Sequence, residues 1–186
     1  MTHPDLMALA DYWLGNAAAD ASEDAFEEHL LECAECSDRL EWVARLGKGI
    51  TAVARGGNLA WMLTPEFLAR LTEDGMRVRS YAPPVNGGVQ CTVTSQDDLL
   101  MGRLRADLSN VPRLDVILKG GEGELRFHLE DVGFRPGAQG EVVMNYPMVI
   151  ARASGHDVLK VKLVSVEPAG ERVLGEYTFH HSPSPQ

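Results

Sequence analysis

The stretch HLLECAEC, residues 29–36, decides the fold of the front of this 186-residue chain. His29 and Cys33 are four residues apart, so on a helix their side chains project from one face, and Cys36 follows across the same turn. Three nitrogen and sulfur donors therefore converge without any long-range folding. One imidazole and two thiolates suit Zn²⁺, and a closed structural zinc site needs a fourth ligand.

The fourth ligand is predicted to be His3, which precedes the first predicted helix. Packing of that helix on the second would bring His3 toward residues 29–36. Cys91 is the alternative, but it lies in an alternating segment, where a free cysteine is usually a small core residue. A metal-free CxxC redox site and an inert cysteine pair are the alternatives to zinc. Three cysteines are too few, and odd in number, for a disulfide framework.

Two amphipathic helices are predicted at the front of the chain from apolar residues at helical spacing. The first has its apolar positions between Leu6 and Leu14, and Gly15 is predicted to end it as a C-cap. Ser22 is predicted to be the N-cap of the second helix, which has acidic residues in its first turn. Zinc would then staple a segment that is too small to fold robustly alone.

Two further helices are predicted before the strands begin. The third runs from about Ser37 to Leu46, because the glycines that follow weaken a helix. The fourth begins with Thr64 as its N-cap and Pro65 at its first position. Trp42 and Trp61 are interpreted as core residues rather than as partner contacts.

From Met76 onward the apolar period changes from that of a helix to that of a strand. Glycine- and proline-rich turns separate the strands, which predicts an antiparallel sandwich or barrel. The predicted strands are residues 76–81, 89–94, 99–108, 114–118, 124–130, 141–145, 158–166 and 172–179. Residues 147–154 are ambiguous between strand and short helix. The predicted fold class is therefore α+β: a small N-terminal zinc-bound helical bundle followed by an antiparallel β-sandwich or barrel domain.

Four units are predicted along the chain. The first is a zinc-binding helical domain, the second a helical arm or linker, the third an antiparallel β domain that could act as a sensor, and the last a disordered tail. Their bounds are residues 1–46, 47–75, 76–181 and 182–186.

The negative charge of the chain is concentrated at its front. Residues 1–46 carry eleven acidic and two basic side chains, a net charge of −9 out of −10 for the whole chain. Phosphates would be repelled, so direct nucleic-acid binding is not expected, whereas a basic protein partner is favoured. No apolar run approaches the roughly 18–20 residues of a membrane helix, and the first residues do not resemble a secretory signal. A cytoplasmic location is therefore expected.

The front of the chain resembles the zinc-binding anti-sigma domain of bacterial anti-sigma factors. That family combines an early histidine with a later HxxxCxxC motif, here His3 and residues 29–36, and the segments ADYWLG (residues 10–15) and EHLLECAEC (residues 28–36) are similar too. The resemblance covers about the first 45 residues and extends less closely to about residue 75. It implies zinc held by the four residues His3, His29, Cys33 and Cys36.

This resemblance also implies a function without catalysis. Such domains bind a sigma factor of the extracytoplasmic-function type and cover the surfaces it uses to engage RNA polymerase and promoter DNA, which represses transcription. A redox signal at the zinc thiolates, or a ligand of a fused C-terminal domain, releases the sigma factor in several members. Because no membrane span is predicted, the chain is similar to the soluble, cytoplasmic members.

Two other functions compete with this interpretation. One is a zinc-thiolate redox sensor that does not act on a sigma factor. The other is a small β-barrel metalloenzyme that uses the C-terminal histidines, although the HxH motif of a cupin is missing. His128 is predicted to be a solvent-facing strand residue, and His180 and His181 are predicted to lie at the frayed end of the last strand.

Overall fold

The structure, a computed structural model, describes residues 3–16, 21–57 and 61–183. Helices dominate the front of the chain and strands the remainder, which confirms the α+β class. The helices are α1 (Leu6–Leu14), α2 (Ala21–Glu32), α3 (Ala34–Arg55), α4 (Pro65–Glu73) and α5 (Met148–Ala153). The strands are β1 (Trp61–Leu63), β2 (Val78–Tyr81), β3 (Gly87–Cys91), β4 (Leu99–Ala106), β5 (Leu114–Gly120), β6 (Leu125–Leu129), β7 (Gly140–Tyr146), β8 (Asp157–Glu167) and β9 (Gly170–His181).

Local capping signals set several helix ends as predicted. Asp5 begins α1, and its carboxylate accepts a hydrogen bond from the backbone N–H of Ala8. Gly15 ends the same helix at a φ of 77°, a left-handed conformation that favours glycine. Thr64 caps α4 by accepting from the N–H of Phe67, and Pro65 occupies the first helical position.

Two predicted helix boundaries are wrong. Ser22 is not an N-cap, because α2 already includes Ala21. The third helix does not stop at Leu46: α3 starts at Ala34 and continues to Arg55, passing through Gly47 and across the predicted limit of the first unit. Although α3 has 22 residues, no helix in the described part of the chain has the length and apolar character that crossing a membrane requires.

Tertiary packing explains why α3 continues through its glycines. Gly47 is buried against the indole ring of Trp13, and a Cβ atom at this position would overlap that ring. The ring of Phe67 lies 6.2 Å from the ring of Trp13, and the guanidinium of Arg70 lies 4.0 Å from the indole centroid. Arg70 also donates a hydrogen bond of 2.6 Å to the carbonyl of Trp13. These contacts hold α1 between α3 and α4 and offset the intrinsic helix cost of glycine.

The strands form two sheets that are mixed rather than antiparallel. The first sheet has the order β1-β7-β4-β2 and the second β3-β9-β8-β5-β6. The β2–β4 and β3–β9 pairs are parallel, and the other pairs are antiparallel. Neither sheet closes among the described strands, so the prediction of an antiparallel sheet is wrong at two pairs and that of a barrel is not borne out.

The path of the chain accounts for the parallel pairs. After β2 the chain leaves the first sheet, adds β3 to the edge of the second, and returns to the first as β4. This crossing replaces the hairpin that an antiparallel β2–β4 pair would use. All eight predicted strand segments are found, and the ambiguous residues 147–154 contain the short helix α5.

The main core lies between the two sheets, and a second core lies between the first sheet and the helices. Strand alternation sends Leu104 of β4 into the core between the sheets and Met101 into the helix-covered core. Buried residues of the main core include Leu104, Val142, Met144, Val116, Leu118, Val161, Leu163 and Tyr177. The second core contains Ala54, Phe67, Leu68, Leu71, Leu99, Met101 and Val143.

Residues 47–75, the predicted helical arm, are built into this structure. They contain the end of α3, the strand β1 and the helix α4, and β1 pairs with β7 through the register Trp61↔Asn145. The strand β1 lies where helical character was expected. The division of the chain into four units stays a prediction. In the predicted tail, the N–H of Ser182 donates to the carbonyl of Cys91, and residues 184–186 lie outside the described residues.

The two glycines of α3 predict opposite effects of the same substitution. Gly47→Ala should lower the free energy of unfolding by about 1–2 kcal/mol, because the new methyl group forces Trp13 to shift. Gly49→Ala should raise it by about 0.5–1 kcal/mol, because no atom lies within 4 Å of its Cβ position and alanine favours the helix. Urea denaturation of both variants measures the difference, and an equal effect at both positions would contradict the packing of Trp13.

Candidate metal centre

Four side chains from the front of the chain converge on one point. These are His3, His29, Cys33 and Cys36, whose potential ligand atoms all lie within 4.8 Å of one another. Nδ1 of His3 lies 3.2 Å from Sγ of Cys36 and 3.5 Å from Sγ of Cys33, and Nε2 of His29 lies 3.3 Å from Sγ of Cys36. The structure therefore brings together all four residues singled out in the sequence.

Two helices and two residues outside them supply these donors. His3 lies three residues before the start of α1, His29 lies in the last turn of α2, and Cys36 lies in the first turn of α3. Cys33 is the residue between α2 and α3, where its backbone is extended (φ −108°, ψ 100°). The expectation that His29 and Cys33 share one continuous helix therefore holds only in part: the N–H of Cys33 still donates to the carbonyl of His29, but the helix axis changes there.

Packing of α1 on its neighbours explains how His3 reaches the cluster. The rings of Tyr12 and Phe26 lie 5.2 Å apart and join α1 to α2. The hydroxyl of Tyr12 donates a hydrogen bond to the carboxylate of Glu27, and Leu9 is fully buried. With α1 fixed along its length, the residues before it are directed toward Cys36.

The donor set fits a tetrahedral cation. Zinc–sulfur and zinc–nitrogen bonds of about 2.3 and 2.0 Å at tetrahedral angles separate S and N ligands by about 3.5 Å, close to the distances of 3.2–3.5 Å found here. Burial, with the adjacent Cys33 thiol, raises the pKa of the Cys36 thiol above its usual value. A bound cation would reverse this penalty by stabilising both thiolates. These four residues could therefore hold a metal ion, and they are compatible with zinc.

Cys91 does not belong to this centre. It is buried in β3 of the second sheet, as its alternating sequence context predicts, and is not among the four grouped donors. Within residues 3–16, 21–57 and 61–183, no other group of at least three His, Cys, Asp or Glu side chains converges in this way. The alternative assignment of Cys91 as the fourth ligand is therefore wrong.

Among the C-terminal histidines, His128 and His181 have hydrogen-bond partners. His128 is largely exposed as predicted, and its Nε2 lies 3.0 Å from Oδ2 of the buried Asp115, to which Arg113 also donates. Burial acts to raise the pKa of Asp115, but these donors and the N–H of Asp131 outweigh it, and the pKa is lowered. His181 is not frayed, because β9 pairs with β8 and β3 up to this residue.

The helix α3 carries an exposed apolar stripe that was not predicted from the sequence. Trp42, Leu46 and Val53 are 49%, 50% and 49% exposed, so the assignment of Trp42 to the core is wrong. Together with Gly49 these residues follow each other at steps of four, three and four, which places them on one face of a helix. The pattern was visible in the sequence, but ending the third helix at Leu46 hid it. The side chain of Trp61 lies outside the described residues.

The opposite face of α3 is the one that packs inside the protein. Cys36, Val43, Gly47 and Ala54 are buried there. The acidic side chains described on α2 and in the first turns of α3 face solvent. These are Asp24, Glu27, Glu28, Glu32, Glu35, Asp38 and Glu41. The front of the protein therefore presents an apolar stripe beside a strongly acidic surface.

Comparison with known proteins adds no relative to this description. The chain matches no protein-family model. A search of curated proteins likewise finds no significant match. The resemblance of residues 28–36 to the anti-sigma domain therefore rests on the residues themselves.

Proposed function

We propose that this chain is a zinc-binding anti-sigma factor that sequesters a sigma factor of the extracytoplasmic-function type in the cytoplasm and so represses transcription. The observation that carries the proposal is the convergence of His3, His29, Cys33 and Cys36. Residues 3 and 29–36 are those that resemble the anti-sigma motif, and the four donors among them meet although they lie in different parts of the front.

Zinc is the proposed metal because two imidazoles and two thiolates are a common donor set of structural zinc sites. When bound, the ion would cross-link the front helices and stabilise the negative charge of the thiolates. Four protein ligands leave no open position for a substrate, so the centre favours a binding protein over an enzyme. This supports the proposal that the chain has no catalytic activity.

The surface around α3 supports a basic, partly apolar protein as the partner. Trp42, Leu46 and Val53 provide apolar contact area, and tryptophan is prominent among the residues that dominate binding energies. The surrounding carboxylates would steer a positively charged surface toward them. The DNA-binding and polymerase-binding surfaces of a sigma factor have this character, whereas DNA itself would be repelled.

Release of the partner is proposed to follow a redox or ligand signal. Cys33 and Cys36 sit in one ligand set, so oxidation to a disulfide would remove two of the four metal ligands. The same observation supports the second candidate function, a zinc-thiolate redox sensor that does not act on a sigma factor. The residues of the β domain, 76–181, are the proposed place for a ligand signal.

Zinc content should depend on two of the three cysteines. Wild-type protein purified under reducing conditions should contain one zinc per chain, and Cys33→Ser should lower this to near zero, because a structural site loses an anionic ligand. Cys91→Ser, the same chemical change at the third cysteine, should keep its zinc. Elemental analysis measures all three proteins. Wild type without zinc, or Cys33→Ser with full zinc, would contradict the assignment.

Partner binding should depend on the exposed stripe of α3. Val53→Asp should weaken the complex with the host's sigma factor about 30-fold, as expected for the loss of an apolar contact of about 2 kcal/mol. Val173→Asp is the matched control, because Val173 of β9 is equally exposed, at 49%, but lies on a different element. Both variants should retain zinc.

Co-purification with the sigma factors of the native host, followed by titration calorimetry, measures this binding. Failure of the zinc-loaded wild type to bind any of these sigma factors would overturn the proposed function. If both valine substitutions weaken binding equally, the proposed role of α3 is refuted, while the proposed function itself is not.

A further inference from the structure

A small cavity between the two sheets contains a second set of soft donor atoms. Its volume is about 40 Å³, and its lining includes Cys91 of β3, Met144 of β7, Asp157 of β8 and His181 of β9. A water molecule needs roughly 10–15 Å³ by this measure, whereas drug-sized ligands occupy about 300–1,000 Å³. The space therefore fits a single ion and is too small for an organic cofactor.

Cys91 and His181 are directly paired across the parallel β3–β9 ladder. Sγ of Cys91 lies 3.9 Å from Nδ1 of His181, and Nε2 of His181 lies 2.9 Å from the carbonyl oxygen of Ala151. A carbonyl oxygen only accepts hydrogen bonds, so Nε2 carries the proton and Nδ1 presents its lone pair toward the sulfur. A backbone carbonyl that fixes the ring in this way is a common support of metal-ligating histidines.

We propose that Cys91 and His181, with the thioether of Met144 as a third donor, bind monovalent copper in this cavity. Metal–sulfur and metal–nitrogen bonds of about 2.3 and 2.0 Å sum to about 4.3 Å, so one ion can bridge the 3.9 Å between the two atoms at a wide angle. A wide angle suits the linear or trigonal coordination of Cu(I). A tetrahedral zinc ion would hold the two atoms closer together, at about 3.5 Å.

Met144 provides a further soft group at the same place. Its terminal methyl approaches Gly102, where a Cβ atom would lie 3.3 Å from Cε of Met144 and 2.9 Å from the ring of Phe179. The absence of a side chain at residue 102 thus leaves room for the thioether end of Met144 beside the cavity. Thiolate, thioether and imidazole donors select Cu(I) over hard cations such as Mg²⁺ or Ca²⁺.

The one carboxylate at the cavity is already engaged. Asp157 accepts hydrogen bonds of 2.7 and 2.8 Å from the guanidinium of Arg126, and this ion pair lowers the pKa of its carboxyl group. Because both carboxylate oxygens of Asp157 already accept hydrogen bonds from Arg126, neither is free to bind a hard ion. The remaining lining is mainly apolar, which limits the competition of water for a soft ion.

A polar groove that shares lining residues with the cavity is the proposed path by which a cation would reach it from solvent. The groove shares His181 and Asp157 with the cavity, and it also contains Glu122, Glu124, His156 and His180. Carboxylates and imidazoles along this route would attract a positive ion and pass it toward the two inner donors. A metal site in a folded protein requires such a path.

Because Cys91 is buried, its thiol differs from a reactive thiol. Desolvation, reinforced by the charge of Asp157, raises the pKa of the Cys91 thiol to about 11, so at neutral pH the thiol keeps its proton. Thiols of this kind are poor nucleophiles. Binding of Cu(I) would release that proton to solvent and form the copper–thiolate bond, with no change in the oxidation state of sulfur or copper.

The proposal is independent of the proposed function, because none of its donors belongs to the zinc cluster. Zinc-loaded full-length protein is titrated anaerobically with Cu(I) in competition with bicinchoninate, and copper per chain is counted. Wild type should bind one more copper per chain than Cys91→Ser and one more than His181→Gln. This difference does not depend on how much copper the zinc cluster also binds. His128→Gln, the matched control at a histidine of β6 that lines neither the cavity nor the groove, should bind as much copper as wild type.

Equal copper contents of wild type, Cys91→Ser and His181→Gln would overturn the proposal. If either variant fails to fold, as judged by circular dichroism, Met144→Leu decides the matter because it conserves the side-chain volume. It should weaken the affinity of the additional copper about tenfold while leaving the zinc content at one per chain. Unchanged affinity in this variant would exclude the predicted soft third donor and reject the site as proposed.

Discussion

The arrangement of the helices at the front of the protein depends on the contact between the indole of Trp13 and Gly47. The indole lies against α3, beside Phe67 and beneath the guanidinium of Arg70. Since α1 has only nine residues, a rise of about 1.5 Å per residue places its two ends about 13 Å apart. The end that carries Trp13 is anchored on the core of the protein, and this anchoring sets the direction in which the other end presents His3 to the metal centre.

The division of α3 into two faces follows from this anchoring. Its inner face is used by Trp13 at Gly47 and by the helix-covered core at Ala54, so the residues that remain apolar on the outer face are exposed. Trp42, Leu46 and Val53 leave about half of their apolar surface in contact with solvent, and this exposed half contributes nothing to the folding of the described chain. Their retention on one face beside a carboxylate-rich surface is what a binding surface requires, and it is the reason to seek the partner at α3 rather than at the sheets.

The features of this structure that depend on local chemistry could be predicted from the sequence. The features that depend on packing between distant residues could not. Gly15, Thr64 and Pro65 mark helix ends through their own backbone preferences, and the HxxxCxxC spacing brings three donors together within two turns. The end of α3 depends instead on an indole thirty-four residues away in the sequence, at Trp13, which no local signal at Gly47 reveals. The parallel pairing of β2 with β4 likewise depends on β3 joining the other sheet, which alternation of apolar residues does not encode.

Strand β4 lies between the proposed copper site and the core beneath the proposed binding helix. Leu100, Met101 and Gly102 line the cavity between the sheets, and Leu99 and Met101 also belong to the core beneath α3 and α4. The front centre has a closed set of four ligands, which suits an ion that stays, whereas Cys91 and His181 leave coordination positions open beside a solvent-connected groove, which suits an ion that exchanges. An ion that shifted Gly102 and its neighbours would move the residues on which Ala54 packs. Strand β4 thus contacts both the cavity and the core on which Ala54 of α3 packs.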